Sequence, residues 1–397
     1  METKERLIEK IKRYLPQIKR FGPPILVAIV LTVTLVTCIH KQPPQPEEPE
    51  PTEQSPIVIA PSPPVEKPTP TPEPEPEQEP EPEPEPEYTG PLNPLTGLPI
   101  ETDMSNVRPL AIMINNHIDA MPQLGVSKAD IIYEVPVEGT TRMLAIYQDA
   151  SEVGRIGSIR SARLYFLDIA QGYDAVYIFA GGSPQAYSAI SARKPTHLDG
   201  TGYTGGPSDI FYRDSQRQQT MAIEHTLLTT GDLINKWLPT YGFRLEHEEG
   251  YESNLEFTEE AAPDGGSPAA DISVSFLGLK TTTFSYAPES KLYFLRQHGR
   301  EYIDGNDETQ LSVTNVLVLK TAVSNIPGDS AGRLNIVTTG SGSGYFICGG
   351  KYIDIEWSRE NESSQFEYTL PDGSDLVLGQ GKSYICIISN NSEVVFG

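Results

Sequence analysis

Glu134 and Glu138 flank Pro136 at the end of an apolar run and precede Gly139-Thr140-Thr141-Arg142. Two carboxylates leaving one strand end can serve as acid and base on a glycosidic bond, where their separation selects inverting or retaining chemistry. Solvated or arginine-paired carboxylates fit the same spacing. A second cluster is cationic, Gly154-Arg155-Ile156-Gly157-Ser158-Ile159-Arg160-Ser161-Ala162-Arg163. With a helix starting at Ser158, Arg160 and Arg163 stand one turn apart near its N-terminus. Cations there oppose the helix dipole by about 0.3 to 1 kcal/mol each, so the placement makes sense when an anion or a carboxylate shares the site. Together with Arg142 and Arg155 they define an expected anion-recognising cleft, since guanidinium forks suit phosphate and sugar-acid carboxylates. Internal pairing with Glu134, Glu138, Asp149 or Asp209 is the alternative.

Other polar clusters are Asn115-Asn116-His117, Asp209 to Arg213, and Glu224-His225-Thr226. His225 is the histidine to test first for catalysis, against a structural role bonded to backbone. Ser183 lacks a G-x-S-x-G elbow and fits a helix cap, so a hydrolase triad of Ser183, His225 and Asp209 is disfavoured. HExxH, CxxC and Walker sequences are absent, and Asp304-Gly305-Asn306-Asp307-Glu308 lacks EF-hand spacing. No metal and no cofactor is therefore expected.

The elements that must position these residues begin with four apolar runs, Leu110 to Ile114, Ile131 to Val135, Met143 to Tyr147 and Ala175 to Phe179. They read as strands buried on both faces. A helix is expected from Ile159 to Ala170, capped by Ser158. A second is capped by Ser183, has Pro184 in its first turn and ends at Pro195; a third opens at Thr229 or Thr230 and closes at Pro239. Three strands before the first helix, without G-x-G-x-x-G, argue for a mixed sheet with helices packed on it. From Ala270 onward alternation takes over, as in Thr282, Phe284 and Tyr286, and Asp372-Gly373 signals a hairpin, predicting an antiparallel β-rich domain. Tyr293, Tyr302 and Trp357 either stack on sugars or join the core. Cys348 and Cys386 lie in strand-like runs, as a bridge between neighbouring strands or as two buried thiols.

Composition divides the chain into a basic segment 1–22, a signal or anchor segment 23–39, a Pro/Glu tether 40–88, a first domain 89–241, a linker 242–269 and a second domain 270–397. Lys4, Arg6, Lys10, Lys12, Arg13, Lys19 and Arg20 keep the N-terminus cytoplasmic by the positive-inside rule, placing everything after Ile39 outside. The Ile25–Ile39 run is short for a spanning helix, which needs about 17 to 25 residues, and suits a signal h-region. Leu35-Val36-Thr37-Cys38 resembles a lipobox, with Cys38 either lipidated or part of an uncleaved anchor. The tether lacks apolar residues to offset the entropy of ordering, and as polyproline II at about 3.1 Å per residue it would reach on the order of 140 Å. The chain carries 30 Lys and Arg against 54 Asp and Glu, for a net charge of −24. That balance argues against nucleic acid as a partner.

Arg108-Pro109-Leu110-Ala111-Ile112-Met113-Ile114-Asn115-Asn116, Ala129-Asp130-Ile131-Ile132-Tyr133-Glu134, Thr141-Arg142, Ser158-Ile159-Arg160-Ser161-Ala162-Arg163, Gly181-Gly182-Ser183 and Glu224-His225 occur in an order that resembles YerB-like envelope lipoproteins of Gram-positive bacteria. The resemblance runs from about Leu92 to the C-terminus. It implies an α+β fold of two sheet layers and a helical layer, membrane attachment, and no established biochemical activity. The expected function is a membrane-tethered extracytoplasmic binding or regulatory protein, on the cell membrane and facing a cell-wall polymer or an envelope protein. The alternatives are a cell-wall glycan hydrolase using Glu134 and Glu138, and a docking scaffold for envelope proteins.

Overall fold

The first three apolar runs form β1 (Leu110–Asn115), β2 (Ile131–Val137) and β3 (Thr140–Tyr147), with nearly every residue buried. The computed structural model describes residues 88–204 and 209–397, all within the compact unit Glu83–Gly397. The basic segment, the apolar run with Cys38 and the tether up to Glu87 lie outside the described residues. Among the described residues, no helix is long and apolar enough to cross a membrane.

Beyond the hairpin of β2 and β3 come β4 (Arg155–Gly157), β5 (Val176–Phe179), β6 (His197–Asp199) and β7 (Leu227–Thr230). The C-terminal half adds β8 (Asp271–Phe276), β9 (Lys280–Ala287), β10 (Leu292–Gln297), β11 (Asn315–Thr321), β12 (Gly340–Cys348), β13 (Lys351–Arg359), β14 (Ser383–Ser389) and β15 (Val394–Phe396). One eleven-stranded sheet contains the path β13-β12-β11-β14-β2-β3-β1-β5-β6. It crosses from one half of the chain to the other where β14 pairs parallel with β2, setting Cys386 opposite Glu134. A second, six-stranded sheet is built around β10, β9, β8 and β15.

The period-two alternation of the central strands sorts their side chains onto two faces. Ile112, Ile114, Ile132, Met143 and Ala145 pack with Phe284, Tyr293 and Leu295 of the second sheet. Ala111, Met113, Tyr133, Val135 and Leu144 pack on the other side with Tyr165, Phe166 and Ile169 of α1 (Leu164–Gly172). Strands covered on both faces need continuous apolar runs, which is why these read so plainly in the sequence.

The mixed sheet and the β-rich C-terminal region expected from the sequence are present. Strictly antiparallel pairing in that region is not, since β11 runs parallel to β14. Tyr293, Tyr302 and Trp357 belong to the core, at 0%, 3% and 2% exposure. Helix α2 (Pro184–Arg193) has the expected cap, with Ser183 Oγ accepting from Ala186 N at 3.1 Å.

The first helix starts later than its pattern suggested. Residues 158–163 are extended, because their backbone groups are taken by neighbouring strands and loops. Ile159 N donates to Leu227 O at 2.8 Å, Arg160 N to Met113 O at 2.9 Å, and Ala162 N to Gly181 O at 2.8 Å. Arg160 thus lies outside the helix and Arg163 is its N-cap, so dipole opposition no longer explains the arginines.

Cys348 and Cys386 are both buried and unbridged. They sit on strands separated by β11 and belong to opposite faces of the main sheet, so no side-chain rotation can join them. Titration of denatured, unreduced protein with a thiol reagent should therefore count both body cysteines as free; a count without them would contradict this placement.

Candidate anion-binding site

Asn115 and Asn116, Glu134, Thr141 and Arg142, the 158–163 run, Gly181 and His225 gather toward the C-terminal end of β1. Asn115 lies opposite Arg142 across the β1–β3 pair, and its N–H donates to Ser158 O at 2.9 Å. The extended run 158–163 therefore threads between the end of β1 and the Gly181-Gly182 loop, whose Ala180 N donates to Arg160 O at 3.0 Å. A loop fixed on both sides by backbone bonds presents its side chains in defined directions.

Three guanidinium groups result, with different partners. Arg163 makes a fork on Glu138, with Nε to Oε1 at 2.8 Å and Nη2 to Oε2 at 2.7 Å. Arg142, 8% exposed, donates to Ser161 O at 2.8 Å and reaches Glu138 only at 3.8 Å. Arg160 is half-buried and, among the described residues, makes no side-chain hydrogen bond or ion pair; Glu224 and Glu138 act on it only at longer range. One carboxylate thus serves Arg142 and Arg163, and Arg160 is left over.

Burial, followed by the charges of Arg163 and Arg160, pushes the Arg142 guanidinium down to about 9. Burial pulls Arg160 down as well, with Glu224 opposing and Arg163 adding to it. For Glu138 burial acts upward, but Arg163 and Arg142 outweigh it and hold the carboxyl below its ordinary range. These shifts describe a partly desolvated patch with more positive than negative charge, in a chain whose net charge is −24. A bound anion would lower the energy of every cation in it.

Two histidines face the same patch. Asn115 Oδ1 accepts from His117 N at 3.1 Å, so its amide nitrogen is the group that donates to His225 Nδ1 at 2.8 Å. That bond fixes neutral His225 with its proton on Nε2. The His117 ring stacks on it, with centroids 5.8 Å apart and planes 10° from parallel. Burial and then Arg160 lower the His225 pKa.

The remaining predicted residues go elsewhere. Arg155, with its side chain 44% exposed, lies 3.8 Å from Asp214 and 3.3 Å from Asn306, in a neighbourhood separate from the other three arginines. The expected four-arginine cleft is therefore a three-arginine patch. Glu134 is fully buried beneath the second sheet, while Glu138 faces the arginines. The expected carboxylate couple is split, because Pro136 and Val137 carry the chain from the core to the β2–β3 turn between them.

Glu134 is held by a buried network whose one ammonium, Lys280, the sequence reading did not single out. Its Oε1 accepts from Lys280 Nζ at 2.8 Å, Asn116 Nδ2 at 3.0 Å and Thr141 Oγ1 at 2.6 Å. Its Oε2 accepts from Tyr384 at 2.7 Å, Thr282 at 2.8 Å and Gln297 at 3.2 Å. A signal was available, because Lys280 shares parity with Thr282 and Phe284, and a charge on the inward face of a strand needs a buried partner.

Residues 95–244 match the model described as protein of unknown function (DUF3048) N-terminal domain, and residues 272–385 match the DUF3048 C-terminal domain. Putative lipoprotein YerB of Bacillus subtilis (strain 168) is 28% identical over 300 residues, covering 74% of this chain and 85% of the relative. The chain belongs to the YerB-like two-domain family. The crystal structure of YerB protein from Bacillus subtilis superposes with a TM-score of 0.66 at 25% identity, spanning 77% of this chain and 99% of that one. In this YerB-like chain the two matched segments share the main sheet through the β2–β14 pair.

Proposed function

We propose that this YerB-like chain is a membrane-attached protein of the cell envelope that recognises an anionic group at Arg160. The attachment rests on the basic and apolar N-terminal segments with Cys38 and on the lipoprotein name of the Bacillus subtilis relative. The recognition rests on one observation: a half-buried guanidinium with no side-chain hydrogen bond or ion pair among the described residues, beside Arg142 and Arg163, which divide a single carboxylate. An envelope polymer bearing phosphate or carboxylate is the class of ligand that fits. The splitting of Glu134 from Glu138 removes the carboxylate couple on which glycan hydrolysis would depend.

The histidines give this reading a pH signature. In the free protein burial and then Arg160 hold His225 below its ordinary value, and an anion beside it would raise it. Affinity for an anion should therefore increase as pH falls through the His225 range below about 6.5. Titrating the full chain with a phosphate-bearing wall polymer at pH 7.5 and 5.5 reads this directly. Tighter binding at pH 5.5, lost in His225→Gln, is expected; pH-independent binding would remove the patch from the account.

A further inference from the structure

Next to the arginine patch, on the other side of the Gly181-Gly182 loop, lies a cavity of about 910 Å³ lined by Gly182, Tyr187, Lys194, His197, Tyr203 and Arg333, among others. The two tyrosine rings meet at 4.7 Å with planes 46° apart, so they form an angled platform. Tyr187 is anchored by its hydroxyl, which donates to Asp199 Oδ2 at 3.3 Å. Tyr203 is 76% exposed, a large ring left facing solvent at the mouth of a concave site. His197 has Nδ1 engaged by Pro195 O at 2.8 Å and keeps Nε2 for another partner.

We infer that this cavity is a saccharide subsite of the same binding site, so that the ligand is an anionic glycan. Sugars present C–H faces to aromatic rings and hydroxyls to polar groups, and this cavity offers both. Lys194 adds positive charge, which suits a polymer carrying acid groups, while Arg333 is paired with Asp329 at 2.8 Å. The coupling to the patch is covalent and short. Gly182 lines the cavity, while Gly181 O accepts from Ala162 N and Ala180 N donates to Arg160 O. Gly182 is also a close-approach position, since a Cβ there would stand 3.2 Å from the Tyr187 ring.

The inference rests on the anion reading of Arg160, and the test separates the two. The full chain in detergent micelles is titrated with inorganic phosphate and with an acidic hexasaccharide of alternating glucuronate and N-acetylglucosamine. Tyr203→Ala, at an exposed position, should weaken the hexasaccharide about five- to tenfold and leave phosphate unchanged, while Tyr203→Phe retains both. Arg160→Gln should weaken both ligands. Hexasaccharide affinity unmoved by Tyr203→Ala overturns the subsite, even where phosphate still depends on Arg160. Phosphate affinity unmoved by Arg160→Gln instead overturns the anion reading beneath it.

Discussion

Replacing Lys280 by Met should destabilise the fold by about 3 to 5 kcal/mol, because it strands a buried carboxylate. Glu134 has no solvent exposure, and among the described residues Lys280 is its one cationic partner. Lys280 also bonds Thr141 and Gln297, so its ammonium closes a network that joins β2, β3, β9 and β10. The double variant Glu134→Gln, Lys280→Met should recover much of the loss, since a neutral amide can remain bonded to Tyr384, Thr282 and Thr141. Urea unfolding of the wild type and the two variants checks this, and a loss below about 1 kcal/mol in Lys280→Met would contradict it. The pH dependence has a definite sign. Burial pushes Glu134 up, but Lys280 and the hydroxyl donors more than reverse this, leaving the carboxyl below its ordinary range. Its contribution is thus present above the unfolded value of about 4.3 and is lost as pH falls through the depressed folded value.

Glu138→Gln should move stability and binding in opposite directions. The substitution leaves Arg142, Arg160 and Arg163 without a carboxylate within ion-pair distance, and loses a charged fork whose glutamate is 20% exposed. A cost of about 1.5 to 3 kcal/mol follows from the lost charge-assisted bonds. The same change raises the positive charge of the patch, so inorganic phosphate should bind several-fold more tightly and return part of the lost stability by linkage. Thermal unfolding with and without phosphate, in wild type and variant, reads both effects. A purely structural Glu138 would show the loss without the rescue.

The strands of the first half were legible because each is a continuous apolar run, the pattern demanded by burial on both faces. The helix expected from Ile159, capped by Ser158, begins instead at Leu164 for a reason local sequence does not carry. Ile159 and Ala162 have helical spacing, yet their N–H groups go to Leu227 and Gly181, residues distant in sequence. Arg142, Arg160 and Arg163 do lie near one another, without the helix geometry expected for them. Arg155 fell away because β4 pairs with β7 and turns its side chain toward Asp214. The Glu134 and Lys280 pair spans the two halves of the chain, and only the parity of Lys280 hinted at it. Convergence of Asn115, Arg142, Arg160 and His225 was foreshadowed by their clustering in short polar motifs at strand ends, where binding residues concentrate.

Anion recognition turns on Arg160, and its most direct test is phosphate titration of wild type and Arg160→Gln, followed by the ring resonances of His225. The wild type should show a saturable shift of those resonances, and the variant should lose at least tenfold in affinity while keeping its unfolding midpoint. Identical titrations in the two proteins would show that the unpaired guanidinium is not where the anion binds.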